Sequence, residues 1–228
     1  MIAKRYVLPG DLIVEGNPHL KPLANVIKVG DRLHSTRIGI VEISQNGVKV
    51  IPLSGIYIPR VGDLVIGKII DYSALAWEVD INSCFLGHLP AQDVFGKEFS
   101  PGRDDLTKRF NIGDVIACRI LNFDRTRDPL LTVADKDLGK ISEGEIVKIS
   151  PTKVPRLIGK RGSMIQMIEQ LTRCRILVGQ NGVLIVTGTN KDAMHVAVKA
   201  IRMIEEGAHT ANLTERVKEM LHGVQVGR

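Results

Sequence analysis

The sequence predicts a multidomain, β-rich protein: a small all-β amino-terminal domain over residues 1–58, a five-stranded barrel over 59–139, and an α/β domain with a final helix over 140–228. Three observations predict it. A phrase of an apolar residue or Pro, then Gly, Asp and an apolar run, recurs at Pro9-Gly10-Asp11, Val29-Gly30-Asp31, Val61-Gly62-Asp63 and Ile112-Gly113-Asp114, with Gly144-Glu145 a weaker copy. Each copy ends a segment in a turn and launches a strand, and the irregular spacing is not that of a solenoid. Five short apolar runs then fill residues 59–134. Beyond residue 140 the apolar spacing becomes helical around Gly159-Lys160-Arg161-Gly162.

In the first part, Leu12–Glu15, Val26–Val29, Gly39–Ser44 and Gly47–Pro52 read as strands, with Gln45-Asn46-Gly47 a hairpin turn. Neither His19 nor His34 has metal-ligand spacing, and both read as surface residues. Docking is the role expected of this part. In the second part the strands are Leu64–Asp71, Ala76–Ile81, Cys84–His88, Val115–Asp124 and Leu130–Val133, with a polar loop at 91–111, an order that suits an OB-type barrel. Asp104-Asp105 in that loop reads as solvated, since adjacent carboxylates diverge and a two-metal site needs several that converge. Asp135-Lys136-Asp137 reads as a linker.

In the third part the expected order is strand (Glu145–Ile149), short helix, Gly-x-x-Gly, helix, strand, strand, helix. Met164, Ile165, Ile168 and Leu171 share a helical face after Gly162. Cys174–Val178 and Val183–Thr187 flank Gly179-Gln180-Asn181-Gly182, a hairpin signal, and a helix begins near Lys191 with Thr189 or Asn190 as cap. A last helix spans Leu213–Leu221 after Thr210-Ala211-Asn212. Two glycines three apart let the chain turn tightly and bring bare backbone to a ligand. That ligand should be anionic, because Lys160 and Arg161 occupy the tip and the next helix points its N–H groups there. Between Lys140 and Arg175 eight Lys or Arg face three Glu, five of the chain's six net positive charges.

That order, with Ile158-Gly159-Lys160-Arg161-Gly162-x-x-Ile165-x-x-Ile168, resembles a type I KH domain over roughly 140–206. The resemblance implies that Gly159, Lys160, Arg161 and Gly162 clamp the backbone of single-stranded RNA, with Lys153, Arg156, Arg173 and Arg175 as flanking cations. The alternative is a packing turn carrying solvated charges. A second resemblance, to the S1 RNA-binding domain, rests on Val61-Gly62-Asp63, Ile70-Asp71-Tyr72, Leu86-Gly87-His88-Leu89, Ile112-Gly113-Asp114-Val115 and Phe123-Asp124-Arg125. It implies RNA-facing roles for Tyr72, Trp77, His88 and Asp124, whose flat or polar groups would stack or orient bases. Asp128 stands where the family often has a basic residue, and Arg125 and Arg127 are the substitutes. Core filling is the alternative for Trp77, and a strand-end polar role for His88.

Composition fits a globular protein, 44% hydrophobic and 25% charged, with a pI near 9.3. Cys84, Cys118 and Cys174 are widely spaced in apolar runs and read as buried reduced thiols, as in the cytoplasm. No signal peptide, membrane span, metal set or other cofactor site is spelled. Taken whole, the chain resembles the RNA-binding cap subunits of the archaeal RNA exosome, the ribosomal-RNA-processing (Rrp4-like) type. The resemblance implies a non-catalytic cytoplasmic subunit, three copies of which sit on a hexameric ring of phosphorolytic subunits and thread single-stranded RNA into it for 3′-to-5′ degradation. Two other readings stand beside it: a transcription antitermination or translation-associated factor, and a nuclease carrying its own S1 and KH modules.

Overall fold

The computed structural model describes residues 5–17, 19–96, 99–101, 103–208 and 212–226; Met1–Lys4 and the expected Thr210-Ala211 turn lie outside them. The chain divides into two units, Met1–Gly55 and Ile56–Arg228.

The first unit contains β1 (Arg5–Val7), β2 (Leu12–Glu15), β3 (Val26–Val29), β4 (Arg32–Ser35), β5 (Gly39–Ser44) and β6 (Gly47–Pro52). They form two antiparallel three-stranded sheets, β1-β5-β6 and β2-β4-β3. Val7, Ile13, Leu33, Val41, Val48 and Val50 make the core between them. The expected strands are all present, and β4 is the strand that Gly30-Asp31 launches; β1, three residues long, is too short to show a period.

The second unit opens with β7 (Leu64–Tyr72), β8 (Ala76–Asp80), β9 (Leu86–Pro90), α1 (Ala91–Phe95), β10 (Val115–Asn122), β11 (Leu130–Thr132) and β12 (Gly139–Ile141). The sheet order β11-β9-β8-β7-β10, closed by β11 on β10, is the expected five-stranded barrel, and β12 adds to the free half of β10. The Gly-Asp phrases are β-turns. Asp11, Asp63 and Asp114 donate their N–H to Leu8, Arg60 and Asn111, with Gly10, Gly62 and Gly113 at φ 90°, 89° and 97°, the third-position geometry that glycine serves best.

Residues 91–111 are not simply a polar loop. Phe95, Leu106 and Phe110 from this segment pack on the barrel core with Val65, Ile69, Trp77 and Leu131. Asp105 caps a 3₁₀ turn over Leu106–Lys108 by accepting from Thr107. Asp104 accepts from the Ser100 amide, so both acids close turns.

The rest is β13 (Glu145–Lys148), α2 (Val154–Ile158), α3 (Ser163–Thr172), β14 (Arg175–Val178), β15 (Val183–Thr187), α4 (Lys191–Glu206) and α5 (Leu213–Val226). The antiparallel sheet β13-β15-β14 under these helices is the arrangement the KH resemblance implies. Its core joins Val147, Leu157, Met164, Ile168, Leu184 and Ile201 to Leu213, Val217 and Leu221 of α5. The barrel and this sheet are not loosely linked. Val183 and Ile185 bury against Ile66 of β7, with Val115 of β10, Ile141 of β12 and Leu177 of β14 packed around them.

The turn between β14 and β15 seals that contact. Asn181, with no exposed surface, donates to the carbonyls of Ile66 and Ile81 at 2.8 and 2.9 Å and accepts from the Ile66 amide at 3.4 Å. The Gln180 amide donates to the Leu64 carbonyl at 2.8 Å. Lys140 lies in β12 and pairs with Asp114 at 2.7 Å, so one of the eight cations counted on the third part belongs to the barrel sheet.

Candidate nucleic-acid interface

The Gly-x-x-Gly segment is a rigid turn between two anchored helices. Leu157 of α2 and Met164 and Ile168 of α3 are buried in one core and fix the flanks. At Gly159 the backbone takes φ 75° and ψ 179°, and a Cβ would stand 2.8 Å from the Met164 Cβ and 2.9 Å from its amide nitrogen. Only glycine passes both tests. Gly162, at φ 82°, donates to the Gly159 carbonyl at 3.3 Å. Between them Lys160 and Arg161 are exposed, and Arg161 is itself left-handed at φ 54°.

Neither cation is ion-paired among the described residues. The first turn of α3 has no side-chain cap, so its N–H groups open toward the same tip. Two charges, a helix end and bare backbone therefore converge where a phosphate would be held.

The other cations fall into two groups. Lys153 and the exposed Arg156 precede the turn, on a 3₁₀ turn and on α2. Arg173 caps the far end of α3 and Arg175 opens β14, both exposed. Ten helical residues place Arg173 about 15 Å from the Gly-x-x-Gly tip.

On the barrel the candidates separate. Trp77 is a correction: it has no exposed surface and cannot stack on a base. Its Nε1 donates to the Phe110 carbonyl at 3.1 Å, and its ring packs between Phe95 and Phe110. Tyr72, 41% exposed, sits at the rim directly opposite Trp77. His88 is exposed on β9, opposite Glu78. Asp124, Arg125 and Arg127 lie in the exposed turn after β10, at the end of the barrel away from Tyr72, because β7 and β10 are antiparallel.

Asp124 accepts from the amide and hydroxyl of Thr126, and these bonds hold its carboxyl below the usual range. That bonding gives it a turn-closing role. Asp128 likewise accepts from the Leu86 amide. Around His88 the outward row carries Asp71 and Glu78, an acidic strip that repels phosphate.

Cys84 is a second correction, exposed where burial was expected; Cys118 and Cys174 are buried, and burial pushes the Cys118 thiol up to about 12. Among the described residues no group of three or more His, Cys, Asp or Glu could hold a metal ion. Nor is any helix among them long and apolar enough to cross a membrane.

Two family models match the chain: the exosome RNA-binding protein RRP4 N-terminal domain over residues 4–54, and the KH domain over residues 144–203. A protein of Nitrosopumilus maritimus named exosome complex component Rrp4 is 53% identical over 218 residues, covering 96% of each chain. Its namesake in Thermofilum pendens is 40% identical, covering 96% of this chain and 92% of that one. A crystal structure described as an exosome complex RNA-binding protein superposes with a TM-score of 0.72 at 41% identity, covering 76% of this chain and all of the other.

Proposed function

As the chain belongs to the Rrp4 family of exosome components, we propose that it is an RNA-binding cap subunit of an exosome, recruiting single-stranded RNA for 3′-to-5′ degradation by other subunits. The observation that carries this reading is the glycine-bounded turn with Lys160 and Arg161 exposed and unpaired beside an uncapped helix end. Gly159 to Gly162 hold the RNA backbone, with Arg156 and Lys153 extending the positive surface on one side and Arg173 and Arg175 on the other. On the barrel, Tyr72, His88, Arg125 and Arg127 contribute secondary contacts, and Asp124 shapes the turn that carries the two arginines.

The first unit docks on a hexameric ring of phosphorolytic subunits, three copies to a ring, in the cytoplasm. Tyr6, Leu8, Ile27, Val29 and Ile43 are exposed apolar residues of this unit that docking would bury. The subunit itself does no chemistry; it raises the local concentration of RNA near the ring.

The test joins a degradation assay to a binding titration of the wild type and one double variant. The purified chain should leave a 3′-labelled RNA intact with Mg²⁺ and phosphate supplied, yet bind it with a salt-dependent affinity. Lys160→Asp with Arg161→Asp should flatten the slope of log K against log salt by roughly 1.4, at about 0.7 per lost phosphate contact. An unchanged slope with the fold intact would remove the turn from the RNA site. Degradation that survives repurification would make the chain a nuclease.

A further inference from the structure

The outward face of α4 carries a row of cations that the Gly-x-x-Gly turn does not use. Of residues 193–204, three are exposed, His195, Lys199 and Arg202, and all three are basic. With Lys191 at the start of the helix they fall within an arc of about 80° and span about 16 Å of its length, at 3.6 residues per turn and 1.5 Å per residue. The exposed acids of the helix, Asp192 and Glu206, stand in its first turn and at its last position. A merely solvated face needs no such row. On α5 the exposed Glu215, Arg216, Lys218 and Glu219 mix the signs, whereas like charges three or four positions apart, as on α4, repel. Nor does the helix dipole call for them, since it favours cations in the last turn and α4 has none there. Lys191, His195 and Lys199 have no ion pair among the described residues.

The row meets the approach to the Gly-x-x-Gly turn at Arg202. Its Nη1 donates to the Lys148 carbonyl at 2.7 Å and pairs with Glu205 Oε2 at 3.0 Å, while Glu205 Oε1 accepts from the Ser150 amide at 2.7 Å. Both oxygens of Glu205 are thereby engaged within the domain. From Ser150 the chain runs through Lys153 and Arg156 to Gly159, so two further cations join the α4 row to the turn. A strand held at the turn must leave it, and the row offers its phosphates the next cations.

We propose that the outward face of α4 is a second RNA-backbone surface: Lys191, Lys199 and Arg202, with His195 between them, take the phosphates of the strand as it leaves the Gly-x-x-Gly turn. Such contacts read charge and not bases, so they lengthen the bound segment without adding sequence preference. The inference rests on the RNA-binding reading and adds a surface to it.

The experiment uses the full chain and labelled oligo(U), and reads the slope of log K against log salt by fluorescence anisotropy. Lys191→Gln with Lys199→Gln removes two charges from an exposed face, and both residue types favour helix, so circular dichroism should be unchanged. For an RNA of about sixteen nucleotides the slope should flatten by roughly 1.4, and the difference from the wild type should shrink toward zero as the RNA is shortened to about four, the length one such domain clamps. An unchanged slope for the longest RNA, or an equal difference at every length, would overturn the inference and leave the Gly-x-x-Gly turn as the RNA site. With that slope unchanged, binding of oligoglutamate by the wild type and not by the variant would assign the row to an acidic protein instead. Binding of no RNA by the wild-type chain would overturn the RNA reading and this inference together.

Discussion

Arg161 carries backbone strain at an exposed tip. It holds a left-handed backbone at φ 54° without being glycine, which costs about 1–2 kcal/mol. Glycine would relieve that strain but adds about 0.5–1 kcal/mol of unfolded-chain entropy. Arg161→Gly should therefore be neutral or stabilising by up to about 1.5 kcal/mol in urea unfolding, while its salt slope for RNA falls by roughly 0.7. A large loss of stability would show that the arginine side chain packs rather than binds.

The contrast with Tyr72 marks where sequence reasoning stops. The exposure of Lys160 and Arg161 was legible because charge between two glycines has few structural uses. The side taken by Tyr72, the partner of Trp77, was not, because a β-bulge in β7 between Ile69 and Asp71 shifts the pairing by one residue, whereas Trp77 simply alternates inward with Val79 and Ile81 against Glu78 and Asp80. Strict alternation from the buried Ile69 would put Tyr72 on the outer face, whereas the bulge sets it opposite Trp77 at the barrel rim.

At the scale of elements, two turns with the same Asn-Gly signal have different fates. Gln45-Asn46-Gly47 closes the β5–β6 hairpin within its own sheet, as its sequence indicates. Gln180-Asn181-Gly182 also closes a hairpin, but its amide bonds residues more than ninety positions away, a partner that no local pattern encodes. Asn181→Ala would strip the Ile66 and Ile81 carbonyls of their donor inside a buried contact, at about 1–3 kcal/mol each. A loss of roughly 3 kcal/mol is expected, with the barrel and the β13-β15-β14 sheet no longer melting together. A single unshifted transition would mean water replaces the amide without cost.

β12 offers a pH-dependent case. The Asn111 amide, and then Lys140, hold the Asp114 carboxyl below its usual range. Because the folded value lies below the unfolded one, this stabilisation is complete above about pH 4 and disappears as the pH falls through the folded value. Amide protection at β12 should drop at pH 2–3 relative to neutral pH, and Asp114→Asn should show reduced protection at both. Equal protection of the wild type at the two pH values would assign the anchoring of β12 to its backbone bonds alone.

At the scale of the whole molecule, the position of the boundary decides what a truncation measures. The sequence placed it at residue 58, where the Gly-Asp phrase of Val61 begins a new run, but the compact units part after Gly55. The difference is Tyr57. It is 6% exposed in the barrel core, its hydroxyl donates to Asp63 at 2.8 Å, and its carbonyl accepts from Ser83. A local pattern cannot reveal this, since Tyr57 is a lone aromatic between Ile56 and Ile58 with no period to place it. A fragment of residues 56–228 should keep the barrel and the third sheet as one cooperative unit, bind RNA with the full-length salt slope, and fail to associate with a phosphorolytic ring. A fragment of residues 59–228 lacks the ring of Tyr57 and leaves Asp63 without its donor, so it should be less stable by roughly 3–5 kcal/mol, the range for deleting a buried aromatic. Comparing the two by urea unfolding and by ring co-sedimentation separates the consequences. Loss of ring association in both, with loss of stability in the shorter alone, assigns docking to residues 1–55. Association retained by the 56–228 fragment would move the docking surface onto the barrel or the third sheet.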